Sequence, residues 1–176
     1  IVSSAGFDKN LPEFEGYYSC WVDSGTSALA LAFLRAKSLQ PEVDVPEVIL
    51  PGYCCPDLVA AAHYAGLLPR VVDINEDDPS LNFAAVRKCI SKNTIAIVAV
   101  NFLGVAENVS ELAGLKIEYP QLSIIEDNAQ WFPAEGQSAF LQGDFVTFSF
   151  GRGKPLSLLG GGLLLSRYPL AMDFVT

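Results

Sequence analysis

One lysine stands where its amine could act as a nucleophile. Lys154 comes shortly after the apolar and aromatic segment 145–150, which predicts a buried strand. Glycines flank the lysine on both sides, and Pro155 biases it toward an extended backbone. A partly desolvated lysine amine can form a Schiff base with a carbonyl compound near neutral pH. A lysine on a surface turn is the alternative interpretation of this segment.

A candidate anion site lies near the beginning of the chain. Ser24, Gly25 and Thr26 precede a strongly apolar segment, residues 28–34, which predicts a buried helix. Ser24 and Thr26 occupy positions typical of helix N-caps, and Gly25 lets the backbone approach a ligand closely. The free amides at a helix start attract anions. Ordinary helix capping explains the same residues, so this segment alone leaves both interpretations open.

The remaining segments alternate between predicted strands and helices. After an irregular lead-in over residues 1–22, strands are predicted at 48–50, 67–74, 94–100, 123–125, 145–150 and 161–165, and helices at 28–39, 56–64 and 81–91. Short connections and nearly continuous apolar strands are typical of a layered α/β fold with a mainly parallel sheet. We find no repeat or linker, so residues 1–176 are predicted to form a single domain.

Three polar segments are expected to meet at one edge of this sheet. They are residues 24–26, 126–127 and 149–154, and each lies at a predicted strand end or helix start. Ligands of open α/β sheets bind beyond the carboxyl ends of the strands. Taken singly, Asp127 could be a turn cap and Gln130 an ordinary polar loop residue.

Composition excludes several classes of function. The net charge of −9 argues against a surface for nucleic acids or anionic membranes. A bound phosphate would have to be held by local amides and hydroxyls, because the overall field opposes it. No apolar run is long enough to cross a bilayer.

The cysteines and the single histidine predict no metal site. Cys20, Cys54, Cys55 and Cys89 fit neither a CxxC metal pair nor a disulfide framework. Reduced thiols are the simplest account, and they favour a cytoplasmic location. His63 lies in a segment that predicts a helix face, not a catalytic position.

Neither glycine-rich segment is a nucleotide-binding motif. Residues 151–154 have the wrong spacing for a P-loop, and Pro155 stands where the hydroxyl residue should follow the lysine. The run 160–162 precedes a predicted strand, whereas a dinucleotide fingerprint opens a helix.

Four segments in this order resemble the fold-type I enzymes that depend on pyridoxal 5'-phosphate. They are SGTSAL at 24–29, EDNAQ at 126–130, Ser149 placed five residues before Lys154, and the glycine run after the lysine. The sequence is most similar to the DegT/DnrJ/EryC1/StrS aminotransferase family over about residues 20–166. The resemblance implies a three-layer α/β/α fold with a mainly parallel sheet, the aspartate aminotransferase-like large domain. A fragment that lacks the small C-terminal domain is one interpretation of its length.

The resemblance assigns the catalytic roles. Lys154 matches the lysine that forms a Schiff base with the cofactor and later moves a proton on the substrate. Asp127 matches the carboxylate that pairs with the pyridine nitrogen and keeps it protonated. Gln130 matches a side chain near the phenolic oxygen of the cofactor.

The resemblance also assigns the phosphate donors. Ser24, Gly25 and Thr26 at the helix start, together with Ser149, would hold the phosphate of the cofactor by amides and hydroxyls. The helix start thereby supplies a local anion site in an acidic chain.

Two positions depart from the family pattern. The aromatic residue that stacks on the cofactor ring aligns with Cys55, so Tyr53 is the nearest aromatic candidate for stacking. The segment 151–153 replaces the common His-Pro-Thr before the lysine, which puts a sugar-nucleotide substrate in doubt. Arg152 could hold a substrate carboxylate or phosphate, or could simply face solvent.

The predicted function is that of an aminotransferase. The resemblance implies transfer of an amino group from an amino acid donor to a keto or aldehyde acceptor, such as a keto sugar, in a cytoplasmic homodimer. Family members that catalyse dehydration typically replace the lysine, so Lys154 argues against that outcome. The alternative is a non-catalytic fold-type I remnant that binds a cofactor or a partner.

Overall fold

A single seven-stranded sheet forms the centre of the computed structural model, which describes residues 14–134, 136–137 and 140–170. In chain order, its strands are β1 (Tyr18–Val22), β2 (Glu47–Pro51), β3 (Leu68–Val72), β4 (Thr94–Val100), β5 (Ser123–Asp127), β6 (Phe145–Ser149) and β7 (Gly162–Ser166). They are arranged in the order β1-β7-β6-β5-β4-β2-β3.

Four α-helices connect the strands. They are α1 (Gly25–Ser38), α2 (Asp57–Tyr64), α3 (Phe83–Cys89) and α4 (Val109–Gly114). Short 3-10 turns cover Phe102–Gly104 and Leu115–Ile117. No helix within the described ranges has the length and apolar character needed to cross a membrane.

The sheet is mainly parallel, as the sequence predicts. Strands β3, β2, β4, β5 and β6 run in one direction, and β7 pairs antiparallel with both β6 and β1. Every residue of β2 and β5 is buried, as are six of the seven residues of β4. These strands are covered on both faces, which explains why their sequences lack the alternation of a half-exposed strand.

The predicted irregular lead-in over residues 1–22 is wrong at Tyr18–Val22. This segment is β1, an edge strand that pairs with β7 from Tyr18 opposite Ser166 to Val22 opposite Gly162. Its partner lies near the other end of the chain, and its exposed Tyr18 and Trp21 hide the strand pattern. Residues 14–17 form a turn before the strand, in which the Tyr17 amide donates to the carbonyl of Phe14; residues 1–13 lie outside the described residues.

Residues on alternate sides of the strands pack into two separate helical layers. Val48 and Leu50 of β2 join the apolar cluster that contains most of α1 and α2. Ile49, between them, joins the cluster that contains Val86 of α3 and residues of α4. Because side chains alternate across a strand, this division establishes the three-layer α/β/α arrangement.

The start of α1 is fixed against β7 by a glycine. A Cβ atom placed on Gly162 would lie 2.3 Å from the carbonyl oxygen of Ser24 and 2.8 Å from the amide nitrogen of Gly25. Both neighbours are backbone atoms, so no side-chain rotation can relieve the contact. Only glycine at this position lets β7 approach the beginning of α1.

We expect Gly162→Ala to destabilise the fold by about 3 kcal/mol, because the new methyl group meets backbone that cannot move aside. Urea unfolding measures the change in the free energy of unfolding. Gly160→Ala is the matched control, since a Cβ atom there meets nothing within 4 Å; it should change stability by less than about 0.5 kcal/mol. Equal effects of the two substitutions would contradict the proposed close approach.

Candidate functional site

A cleft opens at the carboxyl edge of the sheet, where β4, β5 and β6 end and where α1 and α2 begin. It encloses about 110 Å³. Its lining residues are Gly25, Thr26, Leu29, Cys55, Asp57, Leu58, Val100, Phe102, Asp127, Ala129, Gln130, Thr147, Phe148, Ser149 and Lys154. The structure therefore brings together residues of all three polar segments that the sequence singled out.

Asp127 is the last residue of β5 and lies in the wall of the cleft with 7% of its surface exposed. Its Oδ1 atom accepts a hydrogen bond of 2.9 Å from the amide of Ala129. Burial raises the pKa of the Asp127 carboxyl, while that amide and the charge of Lys154 act in the opposite direction. A buried carboxyl with a perturbed pKa in a cleft is a common feature of functional sites.

Lys154 reaches the cleft from the loop between β6 and β7. The loop is held by Phe150, whose amide donates to the carbonyl of Gly161 at 3.0 Å and whose carbonyl accepts from Leu158 at 2.9 Å. A tight turn follows, in which the Lys154 amide donates to the carbonyl of Gly151 at 3.3 Å. Gly153 has a φ of +74°, a backbone conformation that favours glycine. These contacts place Lys154, the only lysine of the lining, in the same cleft as Asp127 at the end of β5.

The start of α1 forms a cradle of hydrogen-bond donors beside Ser149. The Ser24 Oγ atom accepts from the amide of Ser27 at 3.1 Å and so caps the helix. The first amides of a helix have no acceptor within it, which leaves those of Gly25 and Thr26 available to an anion. A Cβ atom on Gly25 would lie 2.6 Å from the Cβ atom of Ser149, so only glycine lets the helix start come this close.

The hydroxyl of Thr26 already has an acceptor. Its Oγ1 atom donates to Oδ2 of Asp57, the first residue of α2, at 3.0 Å. The amide of Thr26, not its hydroxyl proton, is thus the donor that remains. Ser24 lies outside the lining and acts through the helix cap.

Gln130 is oriented by the neighbouring turn. Its Oε1 atom accepts from the amide of Leu103 at 2.9 Å, which directs the oxygen to that backbone. The amide group of Gln130 keeps its two N–H donors for a ligand. Arg152, which is exposed, lines a shallow recess of about 440 Å³ at the mouth of the cleft together with Gln130 and Lys154.

Tyr53, the aromatic residue predicted to stack on a ring, lies outside the lining of the cleft. It is 62% exposed, and its ring packs edge-on against Phe102 with 5.1 Å between the centroids. Phe102 and Cys55 do line the cleft. Asp57 and Phe102 were not among the site residues predicted from the sequence, although the start of a predicted helix and the end of a predicted strand could have indicated them.

The described part of the chain contains no cluster of three or more His, Cys, Asp or Glu residues that could hold a metal ion. All four cysteines are free. The cleft instead offers amide, hydroxyl and lysine donors, with the buried carboxyl of Asp127 as an acceptor and the exposed carboxylate of Asp57 beside them. The donors and Asp127 suit an anionic organic group with a cationic ring.

Several proteins of known name are similar to this chain in sequence and in fold. The chain is 32% identical to Protein MosB of Rhizobium meliloti over 93% of this chain and 32% of that protein. It is 29% identical to GDP-perosamine synthase of Vibrio cholerae over 98% of this chain and 48% of that enzyme. The crystal structure of DesV from S. venezuelae, solved with a ketimine intermediate, superposes with a TM-score of 0.74 at 29% identity, over 86% of this chain and 40% of DesV.

The chain thus spans between a third and a half of the length of these relatives. A family profile matches residues 3–173, nearly the whole sequence. The resemblance found in the sequence motifs is confirmed: the chain belongs to the DegT/DnrJ/EryC1/StrS aminotransferase family.

Proposed function

We propose that this chain is the cofactor-binding part of an aminotransferase that uses pyridoxal 5'-phosphate. It would transfer an amino group from an amino acid donor to a keto or aldehyde acceptor. The observation that carries the proposal is the shared cleft of Lys154 and Asp127, with the cradle of Gly25 and Ser149 beside them.

The residues of the cleft fit the three functional parts of this cofactor. When bound, pyridoxal phosphate supplies an aldehyde carbon that bonds to amines and a ring that accepts electrons from the substrate. Asp127 would accept a hydrogen bond from the protonated ring nitrogen, and the cation would offset the cost of burying the carboxylate. The N–H donors of Gln130 would face the phenolic oxygen.

Lys154 would bind the cofactor and transfer the proton. Its Nζ atom would bind the cofactor covalently at rest, and the freed amine would then hold and move a proton beside the substrate carbon. Lys154 and Asp127 line the same cleft, and the charge of Lys154 acts to lower the pKa of Asp127 against the effect of burial.

The cradle would bind the phosphate. The amides of Gly25 and Thr26 and the hydroxyl of Ser149 are neutral donors at the positive end of α1, a 14-residue helix. Ser24 would contribute by capping that helix. Local donors of this kind can hold an anion in a chain whose net charge is −9.

The faces of the ring would be covered by residues near the end of β4. Phe102 lines the cleft and would contact the cofactor ring directly. Tyr53 packs on Phe102, and it remains a candidate for contact with the cofactor ring from that position. Cys55 would border the same space without offering an aromatic face.

The acceptor would be a keto sugar. The relatives named GDP-perosamine synthase and dTDP-3-amino-3,4,6-trideoxy-alpha-D-glucose transaminase support this class. Arg152 would contact an anionic group of a substrate from the recess at the mouth of the cleft.

The chain would act in the cytoplasm as a homodimer, with each active site between two subunits. Free cysteines favour a reducing compartment. Leu158 and Leu159, on the loop that carries Lys154, are 60% and 75% exposed and offer an apolar surface to a partner.

Sedimentation velocity of the cofactor-loaded protein should show a species with the mass of a dimer. A protein that stays monomeric would contradict the proposed homodimer.

Lys154→Ala should abolish covalent binding of the cofactor. Wild-type protein mixed with pyridoxal phosphate should develop a near-visible absorbance band, and borohydride should fix the cofactor mass on the chain. The variant should show neither change, because it lacks the amine that bonds to the aldehyde.

Lys88→Ala, which removes an exposed lysine of α3, is the control and should keep both signals. Absence of the band and of the trapped mass in the wild type would refute the proposal. If the cofactor binds but no amino acid donor converts it to its amine form, the chain as tested is a cofactor-binding remnant.

Asp127→Asn should weaken cofactor binding by about a hundredfold, because a charge-assisted contact with the ring nitrogen is lost in a buried site. The same change should leave the cofactor-free protein at least as stable at neutral pH. Burial raises the pKa of Asp127, so the wild type bears a cost for the charged form there. That stability difference should narrow as the pH falls through the pKa of Asp127 and the carboxyl is protonated.

Titration by absorbance and thermal unfolding over a pH series measure the two effects. Glu42→Gln, which neutralises an exposed carboxylate, should change neither cofactor affinity nor stability appreciably. Undiminished cofactor affinity in Asp127→Asn would remove Asp127 from the proposed site.

A further inference from the structure

A second carboxylate lies in the cleft, where the proposed function gives it no task. Asp57, the first residue of α2, lines the cleft together with Thr26, Ser149 and Lys154. Its Oδ2 atom accepts the hydroxyl proton of Thr26 at 3.0 Å. Burial chiefly raises the pKa of Asp127, and the charge of Asp57 raises it by less than Lys154 lowers it, so the main contact of Asp57 is with the helix start. The donor set described above neither needs nor uses this negative charge.

The position of Asp57 places a negative charge at the starts of two helices. The first turn of α1 contains no acidic residue, and Pro56 at the start of α2 provides no side-chain cap. Helix starts carry partial positive charge and unpaired amides, which a nearby carboxylate stabilises. By bonding to Thr26 of α1 while belonging to α2, Asp57 offers this stabilisation to both helices.

A phosphate group held by the same helix start would meet this carboxylate. Thr26 supplies an amide to the proposed cradle and its hydroxyl to Asp57, so the two anions would share one residue. The negative charges of Asp57 and of a phosphate bound next to Thr26 would repel one another, and the −9 net charge of the chain adds to the repulsion. Asparagine at position 57 would keep an oxygen acceptor for Thr26 and remove the charge.

We propose that Asp57 is a specificity-determining residue: it is hydrogen-bonded to the Thr26 hydroxyl beside the anion cradle, and its charge opposes binding of the phosphate of the cofactor. The inference rests on the proposed function. Asp57 thereby weakens the affinity of this chain for phosphorylated ligands and leaves the affinity for the unphosphorylated form of the cofactor unchanged. Asp57 sets how strongly the cleft distinguishes the two forms.

The test compares Asp57→Asn with the wild type against three probes: pyridoxal phosphate, pyridoxal and inorganic phosphate. The first two are titrated by absorbance, and inorganic phosphate is titrated by the shift in Tm. Asp57→Asn should bind pyridoxal phosphate and inorganic phosphate about fivefold more tightly, in line with the removal of one exposed like-charge contact. Its affinity for pyridoxal should stay the same. Asp57→Ala should change affinity in the same direction.

Asp44→Asn controls for the overall loss of one negative charge, because Asp44 is exposed and precedes β2 at the opposite edge of the sheet. It should leave all three affinities unchanged. Equal changes for pyridoxal and pyridoxal phosphate, or weaker phosphate binding in Asp57→Asn, would overturn the role of Asp57.

The two proposals fail in different ways. A wild type without an absorbance band on either vitamer refutes the proposed cofactor function, and inorganic phosphate still decides whether Asp57 opposes phosphate binding in the cradle. A wild type that binds pyridoxal phosphate while Asp57→Asn leaves its affinity and that of inorganic phosphate unchanged refutes the role of Asp57 alone.

Discussion

The burial of Asp127 is the interaction on which the candidate site depends. A carboxylate removed from water at the end of β5 is costly unless donors or cations surround it. One amide, from Ala129, and the charge of Lys154 offset only part of that cost, and the pKa of Asp127 stays raised. The folded chain therefore favours a further positive charge at this position. A protonated ring nitrogen meets that requirement, which links the electrostatics of the protein to the chemistry of its family.

Close approaches of the backbone position the rest of the site around this carboxyl. Gly162 lets β7 lie against the start of α1, and Gly25 lets the same helix start lie against Ser149 at the end of β6. Both are contacts between neighbouring elements of the core. The packing of the sheet against α1 therefore fixes the positions of the cradle residues. The loop carrying Lys154 leaves β6 directly after Ser149 and returns as β7. One strand pair thus fixes both the anion cradle and the lysine.

The sequence was sufficient to predict those parts of the fold and the site that leave a local pattern of residues. The apolar run of β4 and the polar residues that follow β5 and β6 predicted a parallel sheet with a site at its carboxyl edge. The strand β1 could not be predicted, since it is stabilised by pairing with β7 at the far end of the chain. The position of the Tyr53 side chain could not be predicted either: its ring packs on Phe102 outside the lining of the cleft, and such tertiary contacts decide the direction of a side chain in a loop.

The contact of Asp57 with Thr26 joins two helix starts that lie 31 residues apart in the sequence, and no local pattern encodes it.

The two carboxylates of the cleft illustrate how position decides the effect of a charge. Asp127 lies at a strand end, buried and facing Lys154, where its charge attracts a cation. Asp57 lies at the exposed start of a helix, where its carboxylate accepts the hydroxyl proton of Thr26 beside the amides that an anion would use. An acidic chain can hold an anionic cofactor only if local donors outweigh the overall repulsion. Under the proposed role of Asp57, the local advantage at the cradle would be smaller, and cofactor binding would rely more heavily on the proposed covalent bond to Lys154 and the proposed ionic contact with Asp127. Affinity for the cofactor would then be concentrated at the end of the cleft that holds Lys154 and Asp127, the groups proposed to carry out the chemistry.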